Sequence, residues 1–309
     1  MPPPLLPGGR EQIPPARLQI TTARFDFPKL VFAHGWVFLA PFSWNEKRLR
    51  LELPLRLGGR RQAQAAISVT TKKNKSLVRI RADSRGGPLD AKYRERIRRQ
   101  VRRMLRLDED FTPFHRLCAR EGELRFAARC RCGGILRAPT AFEDLAKTVC
   151  TTNCDWRNTK QMCRALCALA GGLFPTARDL LPHSPRRLAR LAPVGYRAET
   201  IVALARLSAA GRLDLDAWAG AGDFDRIRER LGRIKGIGPY TVNHMMVLLG
   251  DYRAIPVDSE VIAYLRRTHF GGRPVTPAEA VRPYDRYHPY NFLAYKFHRM
   301  GRRLNYIDK

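Results

Sequence analysis

The residues with the most chemical content lie between positions 231 and 262. Ile255-Pro256-Val257-Asp258-Ser259-Glu260-Val261-Ile262 sets a carboxylate at the start of an apolar helical pattern, 20 residues after Gly238. An Asp in such a place commonly does no more than cap the helix. The same geometry can serve chemistry, because a helix N-terminus favours the ionised form. Asp258 would then stay a carboxylate at neutral pH and face a developing positive charge. Upstream, Gly236-Ile237-Gly238 forms a tight hairpin in which glycine permits positive φ and Ile237 plugs the turn into the core. Pro239 opens the next helix, where its missing N–H costs nothing. The amides of the hairpin and of that helix's first turn point outward at the positive dipole end, which is a phosphate-binding device. Lys235 adds a charge beside it. A Gly-x-Gly between two helices is weak evidence alone, so the weight rests on what surrounds it.

The seven cysteines show no metal-ligand spacing. Cys130 and Cys132 flank one residue, and Cys150, Cys154, Cys163 and Cys167 fall at or near helical steps among apolar positions. Zinc or an iron–sulfur cluster would want Cys-x-x-Cys pairs or a ferredoxin-like spacing. Small buried thiols on helices, reduced in a cytoplasm, are the expected reading, with no metal and no cofactor.

The elements that must position these residues divide into two kinds. From about Thr21 to Asp83 the pattern is strand-like: Leu49, Leu51, Leu53, Leu55 and Leu57 alternate with polar residues or Pro54. Ile67 to Thr70 and Leu77 to Arg81 continue the alternation around a turn-like Lys72-Lys73-Asn74-Lys75, which predicts an antiparallel sheet with Pro54 at an edge or bulge. After Gly86-Gly87-Pro88 the period becomes helical, with Tyr93, Ile97, Val101, Met104 and Leu105 on one stripe and arginines around it. From Asp108 onward the chain reads as helices with short connections. Thr140-Ala141-Phe142-Glu143, Ser184-Pro185 and Thr276-Pro277-Ala278-Glu279 mark helix starts, and Phe224, Ile227, Leu231 and Ile234 form the stripe leading into the hairpin. The expected organisation is α+β: a disordered Pro-rich lead over 1–20, an antiparallel domain over 21–107 and an all-helical domain over 108–309.

The charge constrains the partner. The chain carries 57 Lys+Arg against 28 Asp+Glu, a net +29 over 309 residues. Self-repulsion on this scale fits a polyanionic partner: nucleic acid first, an anionic membrane surface second, with a general arginine bias as the bland alternative. Residues 47–116 alone hold 21 basic and 7 acidic side chains, and the arginines of the helix at 90–106 are expected to form a solvated face. No apolar run is long enough to span a bilayer.

These motifs resemble the helix-hairpin-helix DNA glycosylase superfamily, in which a Gly-hydrophobic-Gly hairpin is followed by a Pro-Val-Asp. Arg106-Leu-Asp-Glu-Asp-Phe, Leu136-Arg-Ala-Pro-Thr-Ala-Phe-Glu-Asp-Leu, Cys150-Thr-Thr-Asn-Cys and Gly195-Tyr-Arg-Ala are similar to the branch holding 3-methyladenine DNA glycosylase II and 8-oxoguanine DNA glycosylase. The resemblance covers roughly residues 106–300. The N-terminal sheet resembles, more weakly, the TATA-binding-protein-like domain of that branch.

The resemblance implies a catalytic role for Asp258 and a backbone-holding role for Gly236 and Gly238, beside which Lys235 adds its charge without matching the nucleophile position. It implies that Asn153 enters the gap left by a flipped nucleotide, and that Tyr196 and Arg197 wedge the duplex and contact the estranged base. Tyr240 would offer an aromatic face to the flipped, damaged base; Trp156, Trp218, Phe111 and Phe114 are possible neighbours. Two positions depart from the 8-oxoguanine pattern: Asn158 stands where a second Arg contacts the orphan cytosine, and Tyr240 stands where bifunctional members carry a nucleophilic Lys. The C-terminal cysteine cluster of endonuclease III-like members is also missing. The resemblance therefore implies a base-excision enzyme that flips a damaged, alkylated purine from duplex DNA and hydrolyses its glycosidic bond. The alternatives are an oxidised-purine glycosylase with lyase activity and a non-enzymatic DNA-holding protein. The implied partner is double-stranded DNA containing a damaged base, without a membrane, and the chain is expected to be a cytoplasmic, nucleoid-associated monomer.

Overall fold

The structure is a computed structural model and describes residues 14–303 apart from Arg60 and Gly86. Its strands are β1 (Ala16–Ala23), β2 (Ser43–Asn45), β3 (Arg50–Gly58), β4 (Arg61–Lys72) and β5 (Lys75–Arg85), joined antiparallel in the order β1-β5-β4-β3-β2. The leucine alternation has its expected result: Leu51, Leu53, Leu55 and Leu57 are fully buried on one face. Leu49 does not join them. It sits before the strand with φ +45° and is 55% exposed, because the turn from β2 must reverse there. Pro54 pairs in register with Gln64 of β4, while β2 reaches only as far as Glu52. The far side of β3 is thus an edge at Pro54, where a missing N–H costs no ladder bond.

Two expectations about the N-terminal part need correction. Strand β1 begins at Ala16, inside the stretch assigned to the lead, and pairs along its whole length with β5. The remainder of that lead, residues 1–13, lies outside the described residues. Between β1 and β2 the chain is helical rather than strand-like: α1 (Phe27–Ala33) is capped by Asp26 with Pro28 in its first turn, and a short 3-10 turn follows over Gly35–Phe38. This insertion buries Leu30, Val31, Trp36 and Val37.

Helix α2 (Ala91–Leu105) lays Ile97, Val101, Met104 and Leu105 across the sheet. The helical part follows as α3 (Thr112–Arg120), α4 (Arg125–Arg129), α5 (Ala141–Thr151), α6 (Trp156–Leu169), α7 (Ala177–Leu180), α8 (Pro185–Leu191), α9 (Arg197–Ala209) and α10 (Leu215–Gly220). It ends with α11 (Phe224–Gly232), α12 (Pro239–Leu249), α13 (Ser259–His269), α14 (Pro277–Val281) and α15 (Asn291–Arg303). Sheet and helices share one continuous apolar core.

The arginines of α2 do more than coat a solvated face. Arg103 reaches the buried Asp144 at 2.8 Å and Asp216 at 2.8 Å. Arg106, almost fully buried, donates to the carbonyls of Val247 at 2.6 Å and Leu248 at 3.0 Å and pairs with Glu109 at 2.7 Å. Arg137 adds a bond to the Leu248 carbonyl at 3.2 Å. The last turn of α12 has no further helical turn to use those carbonyls, so two guanidinium groups cover its negative dipole end. Five cysteines are buried, Cys130 and Cys154 half-buried, and all seven are free; Cys130, Cys132 and Cys154 lie in connections rather than on helices. Among the described residues no cluster of His, Cys, Asp or Glu could hold a metal, and no helix is long and apolar enough to cross a membrane.

Candidate functional site

Helix α11 ends at Gly232, and the chain turns through Gly236-Ile237-Gly238 into α12. The two glycines are used differently. Gly236 has φ +86°, and a Cβ there would fall 2.0 Å from Thr200 Oγ1 of α9, so no other residue fits. Gly238 is in extended conformation and nothing lies within 4 Å of where its Cβ would be. It caps α12 without any side-chain bond, and Pro239 occupies the first turn. Among the described residues the first amides of α12 therefore have no side-chain cap and face an open approach, with exposed Lys235 nearby in sequence and Ile237 buried.

Asp258 caps α13: the Val261 N–H donates to its Oδ1 at 2.7 Å. Its side chain is exposed, and no hydrogen bond to Oδ2 occurs among the described residues. One oxygen fixes the carboxylate as the helix cap and the other stays open. Asp258 lies close enough to Tyr240, Tyr295, Lys296 and Arg299 to act on their ionisation.

Tyr240, on the first turn of α12, is half-buried. Burial, with the Asp258 charge adding, pushes its phenol up to about 12, so it remains protonated. Its hydroxyl lies 3.4 Å from Thr151 Oγ1 and 3.1 Å from His244 Nδ1. His244 Nε2 is in turn 2.8 Å from His34 Nε2, across from the insertion between β1 and β2. Burial pushes His244 down to about 3, with Lys296 adding repulsion. Burial, then His244 and Lys296, hold His34 well below its ordinary range. Both rings are neutral.

Trp156 opens α6 and is 38% exposed. Its ring covers Gly35, where a Cβ would lie 2.6 Å from Trp156 Cη2 and 2.9 Å from Cζ2. Glycine at 35 thus lets an indole lie directly on backbone, one residue from His34 in sequence.

The expected wedge is divided between an exposed part and a buried support. Tyr196 is 65% exposed and accepts a 3.4 Å bond from Asn153 Nδ2. Asn153 is itself exposed, with φ +46°, a left-handed backbone that Asn tolerates better than most residues. Arg197 does not stand free for an estranged base. It is buried, its guanidinium lies 4.6 Å from the centroid of the Tyr196 ring, and it donates to the carbonyls of Thr152 and Asn153. Its place is to hold the Asn153 turn and carry Tyr196. Asn158 lies exposed on the first turn of α6.

The other aromatics weighed as neighbours pack elsewhere: Phe114 against Tyr290 and Phe297, Phe111 near Tyr252, Trp218 under Arg230. Sequence reasoning missed His34, Gly35, His244 and Lys296. His244 had a signal, four residues after Tyr240 on the same helical face. So had Lys296, a cation inside the apolar run Phe292-Leu-Ala-Tyr-Lys-Phe. Burial pushes its amine down to about 8, Arg299 and Arg303 add repulsion, and Asp258 opposes them.

No family model matches the chain. It is 25% identical over 210 residues to the DNA-3-methyladenine glycosylase of Bacillus subtilis (strain 168), covering 64% of this chain and 68% of that protein. The solved 3-methyladenine DNA-glycosylase of Archaeoglobus fulgidus superposes with a TM-score of 0.69 at 18% identity, over 93% of this chain and 98% of that one. The 8-oxoguanine glycosylase/lyase of Clostridium acetobutylicum, bound to duplex DNA with cytosine opposite 8-oxoguanine, gives 0.67 at 16% identity over 94% and 98%. MBOgg1 in complex with a low-affinity DNA ligand gives 0.68 at 17% identity over 95% and 100%. The fold is that of the DNA glycosylases built around a helix-hairpin-helix. In sequence and in structure the chain resembles that superfamily, with likenesses to both its 3-methyladenine and its 8-oxoguanine members.

Proposed function

We propose that this chain is a base-excision-repair DNA glycosylase that binds duplex DNA as a monomer, flips out a damaged purine and hydrolyses its N-glycosidic bond. The observation that carries the reading is Asp258, held by the Val261 amide through one oxygen and open through the other, beside a half-buried aromatic phenol. A base stacked in a duplex is out of reach, so it must be extruded, at a cost of a few kcal/mol that a weakly paired lesion lowers. Tyr196 with Asn153 would fill the vacated stack, while the uncapped amides of α12 and Lys235 grip the backbone without reading sequence. Tyr240 and Trp156 supply aromatic faces for the extruded base.

Breaking the glycosidic bond gives the sugar oxocarbenium character. The open oxygen of Asp258 stabilises that charge and orients the attacking water. An electron-poor alkylated purine suits the aromatic faces, by the attraction that draws cations to π-systems. With no Lys two residues beyond Gly238, the proposed reaction is hydrolytic. Release of free base from duplexes carrying 3-methyladenine, hypoxanthine, uracil or 8-oxoguanine tests the reading, with the alkylated purine expected to leave fastest and no release from any duplex contradicting it.

Lys296 favours a second reading, excision of an oxidised purine with strand cleavage. A half-buried amine near Asp258, lowered to about 8, is a usable nucleophile toward C1′. In that case borohydride traps the chain on DNA, the yield rises as pH passes about 8 and the amine loses its proton, and Lys296→Met abolishes it. The hydrolytic reading expects no trap at any pH.

A further inference from the structure

The insertion between β1 and β2 sorts its apolar side chains by kind. Its aliphatic residues Leu30, Val31, Val37 and Leu39 are buried, while two phenylalanines face outward, Phe32 at 41% and Phe38 at 51% exposure. Their ring centroids are 5.8 Å apart, and Trp44 of β2 meets Phe32 edge-on at 5.4 Å. Trp44 is itself held by the buried Phe27 at 5.6 Å. The outward rings are thus set in place by packing, and an exposed apolar cluster of this kind marks an interaction surface.

Helix α6 supplies the charge beside them. Trp156, Lys160 and Arg164 recur every four residues and so share one helix face. Trp156 covers Gly35 at the start of the 3-10 turn, and the Lys160 ammonium lies 5.6 Å from the Phe38 ring centroid at its end. Among the described residues Lys160 and Arg164 make no ion pair, and Arg157, 88% exposed, meets Asp155 only at 4.0 Å. The carboxylates closest in sequence are already engaged: Asp26 with Lys29 at 2.7 Å, and Asp155 with the Asn158 N–H at 2.7 Å.

Rings outside, aliphatic groups inside and unmatched cations alongside select among partners. A protein partner would be met by aliphatic and aromatic side chains alike, and the cores of such interfaces are depleted in Lys. A bilayer surface calls for a helix with its apolar face outward, whereas α1 turns Leu30 and Val31 inward. Unpaired nucleotides use what is present, π-faces for bases and cations for phosphates. Paired bases inside a duplex leave no face free to stack.

We propose that Phe32 and Phe38, with Lys160 and Arg164 alongside, bind single-stranded DNA by stacking its bases and pairing its phosphates. This surface is additional to the duplex grip proposed for the open end of α12, and it operates whether or not a base is excised.

Fluorescence anisotropy on the full chain tests it, with a labelled oligothymidylate of about twelve residues and an undamaged duplex of the same length. Wild type is expected to bind the oligothymidylate. Phe32→Ala and Phe38→Ala should each weaken that binding about tenfold, the scale of one lost base–aromatic stack, with duplex affinity and melting temperature near wild type. Phe38→Trp, which keeps a π-face, should retain it. Lys160→Gln and Arg164→Gln should each flatten the slope of log affinity against log salt by about 0.7, one single-strand phosphate contact. The proposal is overturned if wild type leaves the oligothymidylate unbound, if the Ala variants bind it as tightly as wild type, or if they lose duplex affinity to the same extent. Binding to phosphatidylglycerol vesicles that displaces the oligothymidylate and vanishes in the same variants would also overturn it, in favour of a lipid surface. A chain that binds the oligothymidylate yet releases no damaged base sinks the glycosylase reading and leaves this one standing.

Discussion

The two ends of α12 are built on opposite principles. At its C-terminus the carbonyls of Val247 and Leu248 are taken up by Arg106 and Arg137, so backbone and charge are satisfied inside the protein. At its N-terminus Gly238 offers no side-chain cap and nothing crowds the approach. One helix thus carries a closed end that belongs to stability and an open end that has kept its binding capacity for something outside. The basic residues divide in the same way: Arg106, buried, and Arg103, half-buried, are neutralised by carboxylates inside the protein and take up none of the net +29.

Several measurements can break this division, from large effects to small. If the open end and the exposed cations grip about six phosphates, duplex affinity falls ~10³-fold between 50 and 200 mM salt. A flat salt titration would leave the open end without its partner. At the closed end, Arg106→Met strands the Val247 carbonyl, leaves that of Leu248 to Arg137 alone and removes the cation beside Glu109, and should cost about 3 kcal/mol of unfolding free energy in urea titrations. Its folded fraction should bind DNA as the wild type does; a stable variant with weakened binding would reverse the roles of the two ends. Gly236→Ala forces a side chain at positive φ against Thr200, so it should lower both stability and affinity, by about 1–3 kcal/mol in stability. Gly238→Ala meets no atom, and should lower affinity with little change in melting temperature. Gly35→Ala pushes Trp156 off the backbone it covers, and a roughly tenfold loss of base release with near-normal duplex binding is expected, in keeping with a small misplacement at a site of chemistry.

The open end was legible in the sequence because its signals are local. The Gly-Ile-Gly turn, Pro239 at the helix start and Asp258 ahead of an apolar helix each follow from neighbours a few residues apart. The leucine alternation of β3 was legible for the same reason, failing only at Leu49, where a turn overrides the period. The closed end was hidden. Arg106 reads as one of many arginines on a helix, and only tertiary structure shows that it crosses to α12. His34 was hidden further, since the short helical insertion carrying it lies among strand-like segments and its partner is distant in the chain. The burial of Arg197 and its bonds to the Thr152 and Asn153 carbonyls were hidden too, since a Tyr-Arg pair in a motif says nothing of which side chain faces inward.

In the proposed reaction Asp258 works through its open oxygen while its other oxygen caps α13. Asn caps helices as well as Asp does, so Asp258→Asn separates the two tasks. Single-turnover base release and duplex binding should be measured on this variant with the best substrate of the damaged-base panel. Unchanged folding and binding are expected, with release slowed at least ~10²-fold, the scale of removing one preorganised electrostatic group. Release at near the wild-type rate would contradict it.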